Sequence, residues 1–371
     1  MDLRFSEEQT ELRKTLARLL EERAALASVR AVEASEEGHD VALHRTLAEL
    51  GLLGIAMPES ADGMGGGLLD LSLVAMELGA AALPGPFFST VVESGLLLSA
   101  APRGARNEEL LRGIAAGEKR VSLARYEADA GESEAVIAMV ARREGEAFVL
   151  EGRKLFVRDA EGADFLIVAA RTERGVTLFV VDRHAEGVAV KRMPSLARER
   201  LAEVRFAGVR VGPGAVIGEE GEGYPLLVEA QLRAAIVKSA EMIGGMRTCL
   251  RLTSEHLLHR IQYGKPIGTF QALQHDAADM LTQLESCERY LWRVASLVDH
   301  GEPLEPSASM LKAFTSEAYR FVTERSVQLH GAIGTTCEHP ISIFYQRSKA
   351  AETALGSARH HYEQVARSLG L

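Results

Sequence analysis

The tightest constraint on this chain lies between Val228 and Gln271, where a long apolar-striped segment ends in Arg260-Ile-Gln-Tyr-Gly-Lys-Pro-Ile-Gly-Thr-Phe-Gln271. Leu232, Ile236, Ile243, Met246, Leu250 and Leu257 recur at spacings of three, four or seven. That is the repeat of one helix face, and it turns Arg247, Arg251 and Glu255 towards water. A stripe of that length requires other helices against it. Gly264, Pro266 and Gly268 then break the pattern, so the chain turns sharply before a new helix begins near Phe270. Arg260, Gln262, Tyr263, Phe270 and Gln271 flank the turn. A guanidinium matches a pyrophosphate and aromatic rings cover a flat heterocycle. Two readings are open: a grip on a planar, phosphate-bearing ligand, or a plain surface turn between packed helices.

At 371 residues the chain is too long for one simple core, and two or three domains are expected. A hydrophobic content of 47% with 25% charged residues is that of an ordinary soluble globular protein. The net charge of -10 argues against nucleic acid or an anionic membrane surface as partner. No apolar run reaches the roughly 18 residues of a membrane helix, and the start Met1-Asp-Leu-Arg-Phe-Ser-Glu-Glu lacks the order of a signal peptide. The expected location is cytoplasmic. Cys249, Cys287 and Cys337 are far apart with no metal-ligand spacing and read as reduced core or near-surface thiols.

The first third reads as helical. Ser6 with Glu8 and Gln9 marks a helix start, and Leu12, Leu16, Leu19 and Leu20 form its apolar face. A second helix covers His44 to Leu50 and stops at Gly51. The glycine-rich Met57 to Gly67 is a loop before a helix at Leu68 to Leu78. Leu83-Pro-Gly-Pro-Phe-Phe88 breaks the chain before helices at Val91 to Ala100 and Glu108 to Ala116. From about Arg120 the period changes. Residues 135–141, 148–153, 165–170, 176–181, 188–193 and 202–206 are short β-branched or alternating runs, the pattern of a sandwich or barrel. Beyond Gly223 helices return, at Phe270 to Val298, Pro306 to Leu329 and Pro340 to Leu369.

This order of elements and its motifs resemble the acyl-CoA dehydrogenase family over nearly the whole chain. The stretches that carry the resemblance are Leu50-Gly-Leu-Leu-Gly-Ile-Ala-Met-Pro-Glu59, Met76-Glu-Leu-Gly79, Glu151-Gly-Arg-Lys-Leu-Phe-Val157, Arg260 to Ile267 with Phe270-Gln271, and Gln328-Leu-His-Gly-Ala-Ile-Gly334 with Glu338-His-Pro340. The fold implied is α+β: an N-terminal helical domain (1–118), a middle β-barrel or sandwich domain (119–224) and a C-terminal four-helix bundle (225–371). The resemblance also implies FAD between two subunits of a homo- or hetero-oligomer. A glutamate base takes the α-proton of an acyl-CoA, the β-hydride goes to the flavin, and electron-transfer flavoprotein is the outlet.

Carried over residue by residue, the resemblance splits in two. The set that reaches a neighbour's FAD is largely present: Arg260 for the pyrophosphate, Gln262, Tyr263, Phe270 and Gln271 beside it, and Gln328 with Gly331 at the adenosine end. Ala332 departs from the usual second glycine. The set that holds the chain's own flavin is mostly changed. Tyr126 precedes Glu127 where a threonine is usual, Phe156 takes the ring-stacking position, and Arg158 stands where a hydroxyl bonds the flavin. Ala354-Leu355-Gly-Ser357 aligns with the segment that carries the base, so Leu355 replaces the carboxylate and the aspartate of nitroalkane-oxidising members alike.

Three readings of that loss are open. The base has moved to Glu241 on the central helix, where a carboxylate near the apolar face suits α-proton abstraction, although Glu241 could equally pair with a basic residue. Alternatively, the chain is the degenerate half of a hetero-oligomer with a related dehydrogenase chain, or it is a catalytically inactive scaffold. Glu352, one turn before Leu355, reads as a helix-surface group. His330 reads as a packing residue, and His360-His361 lacks metal partners.

Overall fold

The computed structural model describes residues 5–129 and 131–371. Ser6 starts helix α1 (Glu7–Arg23) as the sequence predicts: its hydroxyl accepts from the Gln9 N–H at 3.1 Å, and the Ser6 N–H donates to the Gln9 side chain at 3.1 Å. Helices α2 (Val29–Ala34), α3 (Val41–Glu49), α4 (Leu68–Ala80), α5 (Leu96–Ala100) and α6 (Ala105–Ala115) follow. Then come strands β1 (Val121–Ala124), β2 (Val140–Glu144), β3 (Ala147–Arg158), β4 (Phe165–Thr172), β5 (Gly175–Asp182), β6 (Val188–Met193), β7 (Leu201–Val211) and β8 (Val216–Ile217). The long helix α7 (Gly223–His259) leads into a hairpin of β9 (Ile261–Gln262) and β10 (Lys265–Pro266). Helices α8 (Gln271–Asp299), α9 (Ser307–His330), α10 (Ile341–Thr353) and α11 (Ala358–Ser368) complete the chain. Among the described residues no helix is long and apolar enough to cross a membrane.

The chain divides into two compact units, Met1–Ala31 with Gly67–Leu83 and Ala235–Leu371, and Val32–Gly66 with Pro84–Ala234. The second is built on a sheet in the order β6-β7-β3-β2-β4-β5-β8, with β1 parallel to β4. Phe148, Leu150, Val168, Phe179 and Phe206 fill its core, Phe148 edge-on to Phe179 at 5.1 Å. Two sequence expectations fail here. Residues 135–141 become a strand only from Val140, because the Ala138 and Met139 N–H groups donate to the Glu127 carboxylate instead of to a neighbouring strand. The helix expected from Val91 begins at Phe87 as a wide π-helical stretch to Gly95. Buried hydroxyls set that pitch: Ser94 donates to Ser89 O and Val121 O, and Thr90 donates to Val121 O.

In the other unit, α4 and α7 cross where neither carries a side chain. A Cβ on Gly79 would sit 2.1 Å from Glu241 O, and one on Gly244 would sit 1.9 Å from Met76 O. Thr248 adds a bond to Ala80 O at 2.8 Å. Arg247, expected towards water, is instead pinned beside this crossing by Glu77 at 2.9 Å and Glu288 at 2.7 Å. Glu77 also receives Arg13 of α1 at 3.3 Å. Cys249 and Cys287 are buried free thiols, and Cys337 is exposed. The single terminal helix expected over Pro340 to Leu369 is two, because Leu355 (φ +57) and Gly356 (φ +96) turn left-handed before Ser357 caps α11.

Because backbone lies against each missing Cβ, Gly244→Ala should destabilise by about 1 to 3 kcal/mol or more. Gly214→Ala, with nothing within 4 Å, should not move the midpoint of urea unfolding, which is the measurement that checks both.

Candidate functional site

The segment after α7 is a β-hairpin whose two-residue tip is left-handed throughout, Tyr263 at φ +53 and Gly264 at φ +77. Two positive φ values match the twist of the strands, but Asn or Gly is the usual occupant of the first position. A tyrosine there is held in a disfavoured backbone while its side chain is 92% exposed. Phe270 lies edge-on to it at 6.2 Å, with the Lys265 ammonium 4.4 Å from the Phe270 ring. Arg260, Gln262 and Gln271 are exposed, and among the described residues no ion pair of Arg260 is seen.

Three imidazoles join this hairpin to the other predicted segment. His256 of α7 stacks on His330 at 4.5 Å, and His330 on His339 at 4.6 Å. The Arg260 N–H donates to His256 O at 2.9 Å. Gln328 and Gly331, both exposed, flank the middle ring, and Gly331 carries φ +67. Burial first, then the neighbouring imidazoles and Arg260, holds His256 below its ordinary pKa, and burial does the same for His330 and His339. The column is therefore neutral packing, with His330 Nδ1 bonded to Ser326 O at 2.7 Å. It brings Arg260 and the Gln328–Gly331 turn onto one support. A cation, three amides and two rings on that support have the chemistry to hold a planar, phosphate-bearing ligand.

Leu355 is buried at 6% exposure, and its backbone is clamped independently of its side chain. His361 Nε2 donates to Leu355 O at 2.9 Å, while Lys312, fully buried, donates to Ala351 O at 3.1 Å and Gly356 O at 3.2 Å. Glu241 is not sealed in an apolar setting: its side chain is 28% exposed and its carboxylate receives the Lys238 ammonium at 2.9 and 3.0 Å. Neither lysine stands out in the sequence, where an isolated Lys on a helical stripe carries no signal of its partner. Among the described residues no group of three metal-binding side chains forms.

In the sheet unit, a register shift between Lys154 and Val157 puts Phe156 at φ +56, with its ring 41% exposed. Its neighbours are committed to internal bonds. Arg158 donates to Glu199 at 2.5 Å and lies 3.8 Å from Glu93. Tyr126 donates to Glu132 at 2.9 Å, beneath the Arg125 guanidinium, 4.3 Å from its ring, which itself pairs with Glu132 at 2.6 Å. Glu127 accepts from Lys154 at 2.6 Å, and burial lowers the Lys154 pKa to about 8 despite that partner. These residues do not fit a flavin ring on the chain's own face, since the usual hydroxyl donor is a guanidinium held in ion pairs.

His361 gives the clamp a pH dependence. Burial, then the Lys312 charge, lowers its pKa from 6.5 to about 3. A base with a depressed folded pKa contributes stability above its unfolded pKa and loses it as pH falls through the window between the two. The stability advantage of wild type over His361→Asn should therefore shrink below pH 6.5 by about 1.4 kcal/mol per pH unit, as read from urea unfolding at pH 7.5 and 5.

Three domain families match in chain order: acyl-CoA dehydrogenase, N-terminal domain, at residues 6–118, middle domain at 122–209 and C-terminal domain at 221–370. The chain is 32% identical over 365 residues to acyl-CoA dehydrogenase IpdE2 of Mycolicibacterium smegmatis, covering 97% of this chain and 98% of that one. It is 30% identical over 352 residues to benzylmalonyl-CoA dehydrogenase of Aromatoleum aromaticum, covering 93% of each. A variant of the Tcur3481-Tcur3483 steroid ACAD superposes with a TM-score of 0.88 at 30% identity, over 98% of both chains. Butyryl-CoA dehydrogenase from Megasphaera elsdenii shares the fold, with a TM-score of 0.92 at 24% identity over 100% of both chains. With every domain matched and a relative aligned over almost its whole length, the chain belongs to the acyl-CoA dehydrogenase family, which implies a flavin cofactor.

Proposed function

We propose that this chain serves flavin-dependent α,β-dehydrogenation of an acyl-CoA thioester as one subunit of an oligomer, with FAD at a subunit interface and electron-transfer flavoprotein as the outlet for electrons. The observation that carries this reading is Arg260: an exposed guanidinium without an ion pair among the described residues, on a strained hairpin that shares a support with Gln328 and Gly331. Acceptance of a hydride is the chemistry a bound flavin supplies. The chain's own part is to hold the pyrophosphate with Arg260, cover it with Tyr263 and Phe270, and offer amides from Gln262, Gln271 and Gln328. Relatives named for an acryloyl-CoA reductase, a benzylmalonyl-CoA dehydrogenase and short or branched acyl-CoA dehydrogenases support the acyl-CoA class of substrate.

Removal of the α-proton needs a base, and Leu355 has no titratable atom. Glu241 is the candidate carboxylate at the middle of α7. Its two oxygens face Lys238, a pairing that serves helix structure without any substrate. A carboxylate from the neighbouring subunit is the simpler source of the base.

Arg260→Ala should weaken FAD retention by about tenfold or more, since a charge-assisted contact to pyrophosphate contributes about 1.5 to 3 kcal/mol. The visible spectrum after gel filtration of the assembly reads this, and unchanged flavin content would remove the proposal. Glu241→Gln is expected to leave acyl-CoA-dependent bleaching within about twofold of wild type. A loss of roughly 100- to 10,000-fold at unchanged FAD content would instead place the base on this chain.

A further inference from the structure

We propose that the open side of strands β6, β7, β3 and β2 is a docking surface for an acidic segment of another protein, with Arg153 and Arg205 as its anchors. This surface is separate from the flavin contacts, and its test is independent of theirs.

The alternation along each strand defines the surface. Phe148, Leu150, Val204 and Phe206 point into the core of the sheet unit, so the residues between them face the other way. Antiparallel register then places Arg153 of β3 directly opposite Arg205 of β7, with Ala189 of β6 on the far side of Arg205. Opposite Cα atoms in such a pair are about 4.5 to 5.5 Å apart. Both arginines are exposed. Like charges in this position weaken a sheet, and the neighbouring rows avoid them. Lys191 stands opposite Glu203, while Arg142 and Arg210, on either side of Val149, share the Glu144 carboxylate at 3.3 and 3.1 Å. Glu151 and Glu203 flank the Arg153–Arg205 row diagonally, yet among the described residues neither closes an ion pair with it. Two guanidinium forks side by side on paired strands, without a counter-ion, are a poor choice for stability. They are a good one for carboxylates arriving from outside.

Charge and composition select the partner. The five cations named outnumber the three carboxylates, so this side is positive on a chain whose net charge is -10. A second copy laid on the same side about a two-fold axis would set arginine against arginine. A continuous phosphate backbone would meet the three glutamates and the acidic remainder of the chain. Discrete carboxylates of a protein can lie on the Arg153–Arg205 row and miss the glutamates. Val140, 54% exposed, and the half-buried Val149 and Leu155 supply aliphatic surface among the guanidiniums, and arginine beside apolar area is the composition of a protein interface.

The test uses the full chain with a fluorescein-labelled hexaglutamate peptide as the probe, followed by fluorescence anisotropy at low ionic strength. Saturable binding is expected. It should weaken by about tenfold or more in the Arg153→Gln/Arg205→Gln double variant, because each arginine–carboxylate contact is charge-assisted. Arg251→Gln/Arg359→Gln removes the same charge from exposed helix positions in the other unit and should stay within about twofold of wild type. No binding, or equal weakening in both double variants, would overturn the proposal. Oligothymidylate that binds as tightly as the peptide would make the surface one for nucleic acid, and inorganic phosphate that displaces the peptide at matched charge would make it a simple anion site; either result overturns it too. Urea unfolding gives a second reading. Arg205→Thr should raise the midpoint by removing like-charge repulsion, whereas a lowered midpoint would mean that the pair is satisfied within the chain and would count against the surface equally.

Discussion

The contact on which the helical unit depends is the approach of α4 and α7 at Gly79 and Gly244, where main-chain oxygens of one helix lie where a Cβ of the other would be. Helices this close leave no room for rearrangement, so what they carry is fixed relative to them. Glu241 O is one of the oxygens in that contact, and Arg247 lies one turn beyond, drawing Glu77 of α4 and Glu288 of α8 together. The far end of α7 inherits that rigidity. His256, His330 and His339 stack there, and the Arg260 backbone hangs from His256 O. The exposed hairpin is therefore built at the end of a helix whose middle is tightly held.

Local signals are legible in this sequence and tertiary ones are not. Ser6 with Gln9, Gly51 after α3, and the glycine-proline turn after α7 act within a few residues, so composition alone locates them. The π-helical stretch depends on Ser94 and Thr90 meeting the carbonyl of Val121, some thirty residues away. The Glu127 carboxylate that takes the N–H groups of residues 138 and 139 is equally non-local. Arg247 looks like a solvated helix residue until Glu77, far earlier in the chain, is placed beside it. The departures at Tyr126, Arg158 and Leu355 were visible as letters. That two of them are filled by ion pairs and hydrogen bonds was visible only in three dimensions.

The sheet face and the hairpin differ in where their polar groups find partners. On the sheet unit, Arg125 with Glu132, Lys154 with Glu127, and Arg158 with Glu93 and Glu199 satisfy one another, which makes a stable and chemically quiet surface. On the hairpin, polar groups of the same kinds point outward, and the backbone at Tyr263 is held in a conformation that a tyrosine would not choose. Internal satisfaction and outward availability are alternatives for any charged side chain, and this chain uses both.

The loop at Leu355 separates shape from chemistry. Its left-handed turn is held through oxygens of the main chain, by His361 at Leu355 itself and by Lys312 at Ala351 and Gly356, and main-chain oxygens are indifferent to the side chain that accompanies them. The residue at 355 can thus be exchanged without altering the path of the chain. A position built in this way can lose or regain a reactive group at little structural cost, and two copies of one architecture can part company in what they catalyse while still fitting the same partner.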